Sequence, residues 1–350
     1  MKKLLTCLTA LSIGGLALSA CATNAPATQP SSSSKLQSSL SAEQMMAYLT
    51  ADNKLGRATG SAPMVEIQQW LVEQFEQIGI KPLPKASSLI QSFEAKTKQG
   101  NVQAANIIGY LDCRCDNERY FVIGAHYDHV GVNPKLEGDQ IFNGADDDAS
   151  GVVASLLIAR ELAKAEKLPF NIIIAAWDAE ELGLQGSKYF VQNPLVDLSK
   201  IESGVMFELV GSKSEKNTAW MTGFAYSSLY PILKQQMAQQ GWQLGEDPFA
   251  QQMLFLRSDN AAFALMDLSR EKREQVFRQG QKADIQGIPM HAISIWKGQQ
   301  HYHQVNDDMS VIDIENLTNF SKAVAEAIKN LPENIQVEWL ENPYFNFKRP

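Results

Sequence analysis

Positive charge is in short supply in this chain. Its 350 residues hold 31 Lys and Arg against 39 Asp and Glu, a formal net charge of −8, and the basic residues form no cluster. That acidity argues against nucleic acid and other polyanionic partners. A membrane-spanning run is missing too: the apolar stretch from Leu4 to Leu18, behind Lys2 and Lys3, is too short to cross a bilayer. Cysteine is limited to Cys7, Cys21, Cys113 and Cys115. The last two lie two apart in a turn-like segment, where a bridge is strained if the side chains alternate as on a strand. They read as a local disulfide or as free thiols, without a catalytic role. As a metal site the pair alone lacks two ligands.

The first 20 residues read as a lipoprotein signal peptide. Leu18-Ser19-Ala20-Cys21 resembles the bacterial lipobox, in which the Cys becomes the lipidated first residue, and Ala22 in the next position favours the outer membrane. Cleavage removes two lysines, so 29 basic residues face 39 acids and the mature formal charge is −10. Residues 21–41 are rich in Ser, Thr, Pro, Gln and Ala and read as a flexible tether, with too little apolar surface to offset ordering entropy. Residues 42–350 show no second linker and no internal repeat, and are expected to form one large α/β domain.

Within that domain, apolar residues at helical spacing predict a helix over Met64 to Ile78, ended by Gly79. Asn106–Leu111 and Tyr120–Ala125 are short apolar runs consistent with paired strands. Ser150 offers an N-cap for a helix over Val152–Ala163. Asn171–Trp177 is continuously apolar, as in a strand buried on both faces. Strand, helix, strand is a parallel crossover, and open sheets of this kind bind ligands beyond the carboxyl ends of their strands. His126, Glu180, Glu181 and Glu208 each fall just past such an end. His303 follows the strand His291–Trp296, and Asp147 stands before the crossover helix.

Imidazole and carboxylate are ligand types that suit catalytic zinc. His126, Asp147, Glu181, Glu208 and His303, with Glu180 to spare, are enough for two metals sharing a bridging group. Two Zn²⁺ bring four positive charges; Asp147, Glu181, Glu208 and a hydroxide bring four negative ones, which lets so much acid occupy one cleft. Three stretches carry most of this pattern: Gly124 to Gly131, Asn143 to Gly151 and Trp177 to Gly186.

On these stretches, in order and from about Leu49 to the final helix around Leu317–Leu331, the chain resembles the dizinc exopeptidase superfamily. That group contains bacterial leucyl-type aminopeptidases, glutamate carboxypeptidases and the transferrin receptor; this chain resembles its compact form, without the apical domain. The resemblance implies a three-layer α/β/α fold with a mixed, mostly parallel central sheet. It implies two Zn²⁺ per chain: His126 and Glu208 on one, Glu181 and His303 on the other, Asp147 bridging. Asp128 would orient the His126 ring through its carboxylate, and Glu180 would be the general base acting on a metal-bridging water. A cis peptide is implied between Asp147 and Asp148. The pattern Tyr-His-x-x-x-Asp selects His303, followed by Asp307, over His301. His129 and His291 read as structural.

Two departures stand out. Glu208 occupies a position where many relatives carry Asp, so the ligand geometry must adjust to one more methylene. Arg257-Ser258-Asp259-Asn260 has Asn where relatives have His, which bears on substrate contacts. The charged stretch 266–286 is additional, and reads as a solvated surface helix rather than a lid. The expected activity is removal of N-terminal residues from peptides, because a negative cleft suits a free α-ammonium group. A carboxypeptidase would need a cationic clamp, for which Arg257 and Lys297 are the candidates. A glutaminyl cyclase would work with one zinc, and a non-catalytic binding lipoprotein is the alternative from outside the enzymes.

Overall fold

The computed structural model describes residues 39–269, 271–272, 286–298 and 300–340. The signal peptide, Cys21 and nearly all of the tether lie outside the described residues, as does most of the 266–286 stretch.

The chain enters the fold at α1 (Ala42–Leu49), where Ser41 and Gln44 form a capping box. The helix α2 (Met64–Ile78) has the predicted bounds and ends at Gly79, whose φ of 90° is left-handed. A hairpin follows, β1 (Ile90–Thr97) and β2 (Gly100–Leu111), then β3 (Tyr120–His126), α3 (Gly151–Ala163) and β4 (Asn171–Trp177). Next come α4 (Gln185–Gln192), β5 (Ile201–Phe207), β6 (Thr218–Met221), α5 (Leu229–Gln239), β7 (Gln243–Glu246), α6 (Asn260–Ala264), β8 (Met290–Ser294) and α7 (Ile314–Lys329).

The eight strands form one sheet in the order β1-β2-β4-β3-β5-β8-β6-β7. Its centre, β4-β3-β5-β8, is parallel throughout, while β1-β2, β2-β4 and β8-β6 are antiparallel. The fold is therefore α/β with a mixed, mostly parallel sheet between helical layers, as the resemblance implies. One expectation fails. The runs ending at Leu111 and beginning at Tyr120 are not paired with each other, because β4 lies between them and bonds to both. The crossover through α3 returns the chain beside β3, and the continuously apolar β4 thereby lies inside the sheet with a strand on each side.

Every residue of β3 and β4 is buried. Ile172, Ile174 and Ala176 join the core under α1, α2, α3 and α7, while Ile173, Ala175 and Trp177 pack on the other face with Phe190 of α4 and Phe263 of α6. The two-residue alternation of a strand thus supplies both cores. Each fully buried Ile is worth about 1.5–3 kcal/mol of apolar burial.

Cys113 and Cys115 are disulfide-bonded, with Cα atoms 5.2 Å apart. Arg114 between them adopts a left-handed φ of 52°, so the segment is a turn and both thiols reach the same side.

Ser150 is helical and makes no cap; its hydroxyl donates to the Asp146 carbonyl at 2.8 Å. The preceding stretch, Ala145–Ser150, is a wide turn continuous with α3, so no free first turn remains to be capped.

Candidate metal centre

The ends of the parallel strands place the acid and imidazole side chains. His126 is the last residue of β3, Glu180 and Glu181 follow β4, Glu208 follows β5, and His303 lies beyond β8. Asp147 comes from the turn before α3, and the Asp147–Asp148 peptide is cis, as the resemblance implies. Gly144 opens that turn at a φ of 58°. A Cβ there would stand 2.3 Å from the Asp147 carbonyl oxygen and 2.6 Å from the His129 ring, so glycine is required. The Asp307 carboxylate accepts the N–H groups of Asp146 at 2.8 Å and Asp147 at 3.0 Å, which fixes the loop from the other side.

Two donor sets meet at Asp147. On one side His126 Nε2 lies 3.2 Å from Asp147 Oδ1 and 3.7 Å from Glu208 Oε2. On the other, His303 Nε2 lies 3.1 Å from Asp147 Oδ2 and 2.9 Å from Glu181 Oε1. Each Asp147 oxygen faces one set. Asp147 Oδ2 and Glu181 Oε1 are buried without a hydrogen-bond partner, although leaving such atoms unsatisfied costs about 1–3 kcal/mol each. Close approach without hydrogen-bond alignment means that the atoms aim at a shared point. Zinc ligands about 2.0–2.2 Å from a tetrahedral centre stand roughly 3.3 Å from one another, and the observed spacings bracket that value. The donors therefore fit two zinc ions joined by one carboxylate.

The electrostatics agree. Burial disfavours a charged His126, yet the carboxylates of Glu180, Glu208, Asp128 and Asp147 together hold its pKa well above the ordinary value. His303 is likewise disfavoured by burial, but Asp147 and Glu181 drive it to about 10. Burial works against an ionised Asp147, and the adjacent imidazoles keep it ionised well below the usual range. Glu180 differs: burial raises its pKa well above normal, with Glu208 adding to the effect and His126 opposing it. Glu180 belongs to neither donor set, so its carboxylate is available to exchange a proton.

Asp128 meets the His126 ring with both its backbone and its carboxylate. His126 Nδ1 is hydrogen-bonded at 3.0 Å to the Asp128 main-chain carbonyl, while the carboxylate lies 3.7 Å away. That carboxylate accepts the N–H groups of Glu180 at 3.0 Å and Glu181 at 3.2 Å. Asp128 thus serves both the imidazole and the Glu-Glu turn. Glu208 Oε1 accepts a short hydrogen bond from the Ser258 hydroxyl, while Oε2 faces His126. Asn260, the first residue of α6, is buried and donates to the Phe255 carbonyl at 3.0 Å. His301 is excluded from the centre because Asp146 Oδ2 binds it at 3.0 Å.

His126, Asp147, Glu180, Glu181 and Glu208 line a pocket together with Leu209, Trp220, Leu254, Trp296 and Tyr302, whose ring stacks on His303 at 4.0 Å. Arg257 also reaches it, donating to the Tyr302 hydroxyl at 3.1 Å, whereas Lys297 lines a separate cleft.

The family model for peptidase family M28 matches residues 106–328, well over half of the chain, and spans all of these donors. The chain belongs to peptidase family M28. A "Probable zinc metalloprotease" of Pyrenophora tritici-repentis is 37% identical over 122 residues, 33% of this chain and 27% of that protein. A "probable leucine aminopeptidase 2" of Aspergillus oryzae is 27% identical over 265 residues, 70% of this chain and 48% of that protein. This M28 chain therefore spans about half or less of the length of these relatives. Among solved structures, Porphyromonas gingivalis glutaminyl cyclase superposes with a TM-score of 0.61 at 24% identity, covering 83% of this chain and 98% of that one. At that identity the likeness concerns the fold.

Two side chains of the M28 centre were not legible as such in the sequence. Arg57 is wholly buried and donates to the carbonyls of Tyr127, Leu49, Asn143 and Gly144. It ties the segments holding His126 and Asp147 together. His129, which reads as structural from its sequence, stands with Asp147, Glu181 and His303. Its only sequence signal is its place three residues after His126.

Proposed function

We propose that this chain is a dizinc aminopeptidase that removes N-terminal residues from peptides, with Glu180 as general base. The observation that carries the reading is the pair of donor sets joined by Asp147, with a proton-exchanging carboxylate beside them and in neither. Bound zinc ions would make a shared water acidic and polarise the scissile carbonyl. His126 and Glu208 would hold one ion, Glu181 and His303 the other, and Asp147 both. Glu180 accepts the proton of the attacking water and returns it to the leaving amine. The carboxylates at the pocket wall attract the substrate's α-ammonium group, and Trp220, Leu254, Trp296 and Tyr302 offer an apolar surface to its side chain.

Hydrolysis of aminoacyl-anilides should cease on chelation and return with zinc. Since His126 and His303 must lose protons to ligate, and both hold them above the ordinary imidazole range, apparent zinc affinity should rise with pH. Activity that survives complete metal removal would refute the reading.

A second reading, cyclisation of N-terminal glutamine, is supported by the fold shared with the P. gingivalis cyclase. It requires one zinc and a pyroglutamyl product from Gln-peptides, whereas hydrolysis gives free amino acid. Carboxypeptidase action has less support, because among the described lining residues Arg257 is the single cation, set against the carboxylates of Asp147, Glu180, Glu181 and Glu208. The lipobox-like segment supports attachment to the outer membrane through Cys21; Cys21→Ser should move the protein from the membrane fraction to the soluble one.

A further inference from the structure

The five histidines of this chain divide by how their ring nitrogens are satisfied. His291 is fully buried, and Ser227 Oγ at 2.6 Å and the Thr222 carbonyl at 2.8 Å engage its two nitrogens. His301 is bonded to Asp146. His126 and His303 face the donor sets. His129 is 2% exposed, and neither of its ring nitrogens has a hydrogen-bond partner. A neutral imidazole carries one N–H donor and one acceptor, so the acceptor nitrogen of His129 still lacks a partner atom.

The position of the ring says what that atom is. His129 Nδ1 lies 3.1 Å from Glu181 Oε1 and 3.7 Å from Asp147 Oδ2. These are the same two oxygens that His303 Nε2 approaches from the other side. The two imidazoles stand edge to face, with centroids 5.5 Å apart and planes at 75°. Four donor atoms thus surround one point, and the backbone holds His129 there: its N–H donates to the Arg57 carbonyl at 3.1 Å, and Gly144 leaves room for the ring.

We propose that His129 is a fourth protein ligand of the zinc ion held by Asp147, Glu181 and His303. The inference rests on the dizinc reading above. Four protein ligands already fill a tetrahedral shell, so the shared water would be a fifth ligand on that ion, whereas three protein ligands leave it an open position. The His126–Asp147–Glu208 site has three. The two ions would therefore differ in how firmly they are held: the one with four protein ligands should exchange slowly, and the one with three should be lost readily.

The test uses the zinc-loaded full chain. X-ray absorption at the zinc edge should count three imidazoles shared between two ions; two imidazoles would overturn the proposal whatever any variant does. Stepwise chelation, followed by metal analysis, should remove one zinc from the wild type well before the other. In His129→Ala, with folding verified by circular dichroism, both should leave together, whereas an unchanged two-step loss would again overturn it. Zinc-loaded wild type with fewer than two ions per chain would instead sink the dizinc reading, and this inference with it.

Discussion

Glu180→Gln is expected to lower kcat by about 10²–10⁴-fold, the range lost when a general base is removed. Both zinc ions should stay. The expectation follows from position: Glu180 lines the pocket beside the donors but belongs to neither set, and its backbone N–H is anchored on Asp128. The amide retains the shape of the carboxylate and cannot take a proton. Since ten-fold in rate is about 1.4 kcal/mol, the loss corresponds to roughly 3–5.5 kcal/mol of transition-state stabilisation. Kinetics paired with metal analysis decides the matter. Full activity would remove Glu180 from the mechanism, and a variant that loses zinc would make it a ligand instead.

Arg57→Met should be the most damaging substitution away from the donors themselves, lowering stability by about 3–5 kcal/mol. Its guanidinium is enclosed and serves four carbonyls from three distant segments. Methionine fills similar space but leaves those oxygens buried without that donor. The lost charge also counts. Burial lowers the Arg57 pKa, while Asp307, Asp147, Asp128 and Asp148 pull it back up, so the cation offsets the acids behind the centre. For a domain of this size the melting temperature should fall on the order of 10 °C. Arg57→Lys should recover little of it, because one ammonium cannot reach four oxygens spread around a planar fork. A melting temperature within 2 °C of wild type, on a scale where about 1 kcal/mol moves it by that much or more, would contradict this account.

The elements that read correctly from sequence are those whose signal is local. The spacing of Ile67, Trp70, Leu71 and Phe75 defines α2, and the unbroken apolar run of β4 announces a strand enclosed on both faces. The strand ends then bring His126, Asp147, Glu181, Glu208 and His303 to one rim. What escaped the sequence is relational. No local pattern tells β3 that its neighbour is β4 rather than β2. The resemblance makes Asp128 a carboxylate partner for His126, but nothing local shows that the Glu-Glu turn 52 residues later also donates its N–H groups to those oxygens. His129 looks ordinary until Glu181 and His303 are folded against it. Ser150 resembles a cap only while the wide turn before it is unseen.

The parallel strands also sort the molecule by task. All of the chemistry lies past one set of strand ends, while the Cys113–Cys115 turn leads into the opposite end of β3 and Pro169 into the opposite end of β4. Substrate binding and fold closure therefore occupy different poles. Asp112 and Asp116 are exposed beside the disulfide, so a label attached at either is expected to leave the cleft unobstructed.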